Sequence, residues 1–332
     1  MTIVSFPARA AALAALAFAF CLPAAAQTCS NRGDLDARYC DENRDLVADT
    51  PKDPKAWQDP ATLVFSYTPV EDPSVYENVF DGLMQHIAKL TGKRVKWFPA
   101  ESYAAQVEAM RSGRLHIAGV AAGPTPYAVN LAGFVPQVAM QHADGTIGYT
   151  LQLIVRKDSP ITKVADLKGK RVAHVSPSSN SGDTAPRVLF RQFGIEPGKD
   201  YEVVFSGKHD NSVMGVVNGD YDAAPVASSV KDRMQARGMF KPDALRVVYE
   251  SQPFPRTAYG VVYNLSPELQ AKIKEAFLTF DFKNSPLAKE FKDTSGFKAV
   301  EYANGWKDVR LIQAQTGIRY TQESLSKLGN KD

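Results

Sequence analysis

Val175-Ser-Pro-Ser-Ser-Asn-Ser-Gly182 joins an apolar run, residues 171–175, to an amphipathic run, residues 183–193. The first has strand character. The second has helical spacing, with Pro186 early and Gly194 just past its end, so the hydroxyl-rich loop falls where a helix begins. Amides in a first helical turn lack partners inside the helix, and the positive end of the dipole points the same way. A tetrahedral oxyanion placed there would meet backbone and side-chain donors without any lysine or arginine. An ordinary N-cap explains one Ser or Asn at such a position but not a run of four. On the loop alone both readings stand.

Working outward, short apolar strands alternate with amphipathic helices, which argues for α/β layers with largely parallel sheets. Residues 63–67, 95–98 and 115–120 read as strands, with helices over 76–90 and 103–111. The same order returns as strands 171–175, 201–205 and 221–226 with helices 183–193 and 211–217. The echo reaches single residues: Tyr67-Thr-Pro69 answers Val175-Ser-Pro177, and the run from Met110 through Gly113 to Ala118 answers Val216 through Gly219 to Ala224. Two Rossmann-like lobes follow, with equivalent loops facing across a cleft. Residues 148–155 and 259–263 suit two crossover strands lying side by side as a hinge, and helices over 267–277 and 306–316 would finish the first lobe. The expected division is therefore 61–150 with 259–332 as lobe 1 and 151–258 as lobe 2.

Residues 1–26 have the form of a secretory signal: Arg9, an apolar stretch over 10–22, and Ala24-Ala-Ala26 ahead of Gln27. The mature chain is then exported to the periplasm, and no further run is apolar enough to span a membrane. Residues 27–60 form a polar leader. Cys29 and Cys40 are the two cysteines left in it, and in an oxidising compartment so close a pair is expected to close a disulfide, with metal binding the weaker reading. The formal net charge of +3 comes from 39 basic and 36 acidic residues, with no basic stripe for nucleic acid.

Three loops carry donors at expected carboxyl ends of strands, where open α/β sheets bind ligands. The first holds Ser178, Ser179, Asn180 and Ser181. In Gly123-Pro-Thr-Pro-Tyr127, Thr125 and Tyr127 would present hydroxyls, unless the prolines make only a rigid turn. In Gly207-Lys-His-Asp-Asn211, His209 would donate to an anion, unless it merely caps a helix. Tyr67 ends the first strand facing the cleft. Arg256 and Thr257 sit at its expected rim, where an arginine is usually solvated. Tyr76 and Tyr103 are expected to pack on helices, His174 to be packed, and His116 to lie at a surface or edge. Nucleophile-elbow, metalloprotease, P-loop and C-x-x-C motifs are missing, and nothing in the spacing demands a Ser179, His209, Asp222 triad. No catalytic residue, cofactor or metal is expected.

With those loops in order, residues 63–320 resemble the phosphonate- and phosphite-binding periplasmic proteins of ABC transporters. The carrying segments are the run from Tyr103 to Gly113, Gly123-Pro-Thr-Pro-Tyr127, Ser179-Asn-Ser-Gly182 in place of the usual Ser-Thr-Ser-Gly, and His209 through Gly219 to Asp222. The resemblance implies a two-lobed type II periplasmic binding protein that captures a small oxyanion and hands it to a permease. It makes Ser179, Asn180, Ser181, His209, Tyr127 and Tyr67 ligand donors. Where aminoalkylphosphonate binders place acids for the ligand's ammonium, this chain has Ser229 and Thr257, so phosphite, phosphate or methylphosphonate fits better. The chain is also similar to arsenite-sensing periplasmic proteins of that fold, but Asn130-Leu-Ala132 lacks their cysteine. A sensor subunit signalling to a histidine kinase is the alternative role, and a phosphoester hydrolase the alternative of another class.

Overall fold

In a computed structural model describing residues 29–327, the apolar runs of the two halves enter two separate sheets. The expected signal, residues 1–26, lies outside the described residues. In chain order the strands are β1 Thr62–Tyr67, β2 Arg94–Trp97, β3 Ile117–Val120, β4 Phe134–Gln141, β5 Leu151–Arg156, β6 Arg171–His174, β7 Glu202–Phe205, β8 Ala223–Ala227, β9 Leu245–Glu250, β10 Ala258–Val262 and β11 Gly296–Ala299. One sheet has the order β11-β4-β10-β3-β1-β2, the other β7-β6-β8-β5-β9. The repeat seen in the sequence is thus built strand for strand, β2-β1-β3-β10-β4 matching β7-β6-β8-β5-β9.

Each sheet is mixed where largely parallel sheets were expected. Only β2-β1-β3 and β7-β6-β8 run parallel; β10 lies antiparallel to β3 and β4, and β5 antiparallel to β8 and β9. The hinge differs too. β5 and β10 belong to different sheets, and the two crossing segments pair instead through Tyr149 and Phe254, which exchange N–H···O bonds of 3.0 and 2.8 Å. Both crossings leave from ends of antiparallel strands, so the chain passes between sheets without breaking either parallel core.

Local chemistry sets the helices that carry the site. Tyr103–Arg111 starts at Ser102, whose hydroxyl accepts the Ala105 amide at 3.1 Å, and buries Tyr103, Gln106, Val107 and Met110 on one face. His209–Asn218 ends at Gly219 with φ of 86°, and Gly113 after the equivalent helix has φ of 73°. That left-handed backbone explains why both halves carry glycine there. The sequence expected a helix over 76–90, but its first turns are irregular and Asp81–Thr91 alone is helical. His116 is buried, not at a surface: its Nδ1 accepts the Val64 amide at 3.1 Å.

The leader is tied to the six-stranded lobe. Cys29 and Cys40 form a disulfide, the Asp36 amide donates to Asn130 O at 2.9 Å, and the Gln58 amide to Asn264 O at 2.7 Å.

Candidate functional site

The parallel strands of both sheets end at one interface, and their loops enclose a cavity of about 50 Å3. In that measure one water needs ~10 to 15 Å3, so the space suits a guest of roughly three to five heavy atoms. The lobes are closed around it. The His209 amide donates to Val70 O at 3.0 Å across the gap, and Gly123 after β3 abuts the Ser178–Asn180 backbone after β6. A Cβ on Gly123 would run into the Ser178 carbonyl oxygen and stand 2.6 Å from the Asn180 amide nitrogen. Glycine is what lets these two loops meet.

Five of the expected ligand residues line the cavity, Tyr67, Ser179, Asn180, His209 and Thr257, and so does Ser229. Ser179 caps the π-turn Asn180–Thr184, accepting the Gly182 amide at 3.1 Å. A π-turn there is a widened helix start of the sort found at functional sites. The Ser179 Oγ also meets His209 Nε2 at 3.4 Å. His209 Nδ1 accepts the Ala227 amide at 3.2 Å, which fixes the ring proton on Nε2 and aims it at Ser179 and the cavity. Burial, seconded by the Arg233 charge, pushes the His209 pKa down to about 3. His209 is therefore a neutral donor.

The other expected donors are placed elsewhere. The Thr125 hydroxyl bonds back to Ala121 O at 2.8 Å within its own helical turn, and Tyr127 packs edge-on against Tyr320 at 5.2 Å; neither lines the cavity. Ser178 and Ser181 are buried in the same loop but do not line it either. His174 is packed behind the loop, its Nδ1 2.8 Å from Asp183 and its Nε2 2.7 Å from the Tyr201 hydroxyl.

Sequence reasoning missed four lining residues. Tyr103 is buried and Tyr149 half-buried in the cavity wall, and burial raises both pKa values, so they remain protonated donors. Arg256 was expected at a solvated rim; it is 7% exposed and bonds Asp293 and, at 2.7 Å, Thr294. Arg233, not singled out, lines the cavity from the helix Ser228–Ala236 of the five-stranded lobe. Burial works against its charge, but Tyr76, Tyr67 and Glu71 outweigh that and raise its pKa. Its N–H groups reach the Tyr76 hydroxyl at 3.1 Å and Glu71 at 3.4 Å, and Arg237 of the same lobe meets Glu71 and Glu290. Only their ion-pair partners, far apart in the chain, would have revealed these arginines. Among the described residues no Asp or Glu lines the cavity.

A family model described as the phosphonate ABC transporter periplasmic substrate-binding protein matches residues 65–304. The chain belongs to that family. The phosphate-import protein PhnD of Mycolicibacterium smegmatis is 30% identical over 243 residues, covering 69% of this chain and 75% of that one. A binding-protein component of a phosphonate ABC transporter from Pseudomonas aeruginosa superposes with a TM-score of 0.69 at 23% identity, covering 82% of this chain and 94% of its own. PhnD1 of Prochlorococcus marinus, solved in complex with methylphosphonate, gives 0.67 at 19% identity over 78% and 99%. The two superpositions establish the two-lobed type II periplasmic-binding-protein fold, with the two lobes that the repeat led one to expect. Members of this family are transport proteins that work with membrane permeases, and among the described residues no helix is long and apolar enough to cross a membrane.

Proposed function

We propose that the chain works in the periplasm, closing on phosphite, phosphate or methylphosphonate and delivering it to an ABC permease, without chemistry on the ligand. The observation that carries this is the interlobe cavity, small and lined by hydroxyl, amide and imidazole donors from both lobes, with no carboxylate to hold an ammonium group. Ser179, Asn180 and His209 would hold the oxygens from one lobe, Tyr67 and Thr257 from the other. Val70, Met140, Val230 and Phe291 add apolar lining that a hydrogen or methyl substituent would meet. Each hydrogen bond to a charged oxygen contributes ~1.5 to 3 kcal/mol, so four or five supply the ~8 kcal/mol of micromolar binding and a surplus for closure. A hydrolase reading is weakened at His209, whose Nδ1 faces a backbone amide rather than a carboxylate and whose low basicity would not activate Ser179. A sensor would use the same closed state, so pull-down of a permease against a kinase ectodomain separates those roles.

Calorimetry of the mature protein against phosphite, phosphate, methylphosphonate and aminoethylphosphonate tests the reading. Micromolar or tighter binding of at least one of the first three, with aminoethylphosphonate weakest, is expected. Preference for the amino compound, or no binding of any, refutes it.

A further inference from the structure

The cavity wall contains an acceptor with nothing to accept. Asn180 is 2% exposed, and its Nδ2 donates to the Tyr149 hydroxyl at 3.2 Å. The other end of that amide is the Asn180 Oδ1. That Oδ1 is buried and has no hydrogen-bond partner. Unpaired hydroxyls in the same loop, on Ser178 and Ser181, can turn to donate, but an amide oxygen only accepts. Left unpaired in a closed cavity it keeps the penalty of its lost hydration, and it would repel a fully ionised oxygen placed against it.

The charges nearby point the same way. Arg233 is matched by Glu71 and Glu290, Arg256 by Asp293, and His209 is neutral, so the walls offer no unmatched cation to balance a second negative charge. Resting on the proposed function, we infer that the ligand is bound as its singly charged, protonated form, with the P–O–H donating to Asn180 Oδ1. Asn180 then sets specificity: it reads a proton, and so separates acids that keep one near neutral pH, such as phosphite and alkylphosphonates, from sulfonates, which have none to give.

The groups facing Asn180 across the cavity do not titrate in the range that matters. His209 has its pKa near 3, Tyr67, Tyr103 and Tyr149 are all pushed up by burial, and Arg233 and Arg256 are ion-paired. The pH dependence of binding should therefore report the ligand's own ionisation.

Calorimetry of the mature protein with phosphite and with methylphosphonate, from pH 5.5 to 9, tests this. Affinity is expected to be level below each ligand's second ionisation and to fall about tenfold per pH unit above it, with the break at lower pH for phosphite, the stronger acid. Methanesulfonate, of the same shape, is expected to bind at least tenfold more weakly than methylphosphonate at pH 6. Asn180→Ala should flatten the decline and narrow that gap. Affinity that rises with pH or stays level, a break common to both ligands, or methanesulfonate binding as well as methylphosphonate overturns the inference while leaving oxyanion capture intact. Failure of both phosphorus anions to bind at any pH would overturn both.

Discussion

Replacing Gly123 by alanine probes the closed state at one atom. The added Cβ points at the Ser178 carbonyl oxygen and the Asn180 amide nitrogen, both backbone atoms of the opposite lobe, so no side chain can swing aside to make room. The Gly123 loop cannot retreat easily either, because the Gln313 side-chain amide donates to Gly123 O at 2.7 Å and its oxygen accepts the Tyr320 hydroxyl at 2.8 Å. Overpacking of this kind costs about 1 to 3 kcal/mol. The clash exists only when the lobes meet, so it falls on closure, and apparent affinity should weaken by roughly 5- to 150-fold. Calorimetry with the best-binding anion reads that change, and small-angle scattering of the loaded protein should show a more open particle. Fold stability without ligand should change little, since the three atoms nearest that Cβ all belong to the opposite lobe. Unchanged affinity would mean the two loops do not approach in the liganded protein, and the geometry of the site would be wrong.

Three further outcomes follow. Glu71→Gln leaves Arg233 and Arg237 to share the single carboxylate of Glu290, and because removing one member of a buried ion pair typically costs about 3 to 5 kcal/mol, thermal unfolding should come earlier and ligand affinity should drop by at least tenfold; no change in either would deny Glu71 a role in closure. His209, with a pKa of about 3 in the closed fold against an ordinary 6.5, contributes stability that is complete above pH 6.5 and is lost, at about 1.4 kcal/mol per unit, as pH falls toward 3; unfolding midpoints across that window should show it, and His209→Gln should remove that part of the slope. Opening the Cys29–Cys40 loop by Cys29→Ser with Cys40→Ser should lower stability by about 2 to 3 kcal/mol and leave anion affinity unchanged within twofold, because no described leader residue lines the cavity.

Much of the fold was legible because the signals are local. The period-two and helical runs, the paired Pro and Gly positions and the loop at 178–182 each depend on neighbours in sequence, and the helix Tyr103–Arg111 begins and ends where Ser102 and Gly113 say it should. The strands β4, β9 and β11 were not anticipated, since an antiparallel strand added outside the parallel core is defined by its partners and not by its own residues. Thr125 and Tyr127 show the opposite failure: donors at a helix start look available in sequence, yet the hydroxyl of one folds back on its own turn and the other is claimed by Tyr320. Arg233 and Arg256 were invisible or misjudged for a related reason. Their charges are tolerated inside only because Glu71, Glu290 and Asp293 arrive from elsewhere in the chain.

Those matched charges bear on what a transport receptor must do, which is to hold an anion firmly and still let it go. An unmatched arginine in a dry cavity would bind any small anion strongly and without discrimination, since Coulomb attraction in low dielectric is large and insensitive to the guest's hydrogens. With each guanidinium already committed, closure depends on dipoles whose geometry is right only when both lobes are together: the Nε2–H of His209, the Ser179 hydroxyl and the tyrosine hydroxyls opposite. Opening by a few ångströms would abolish most of those hydrogen bonds at once, whereas a bare charge would still attract at that distance. Binding by neutral donors therefore couples release to hinge opening, and the Glu71–Arg233 contact, which spans the same gap, breaks in the same motion.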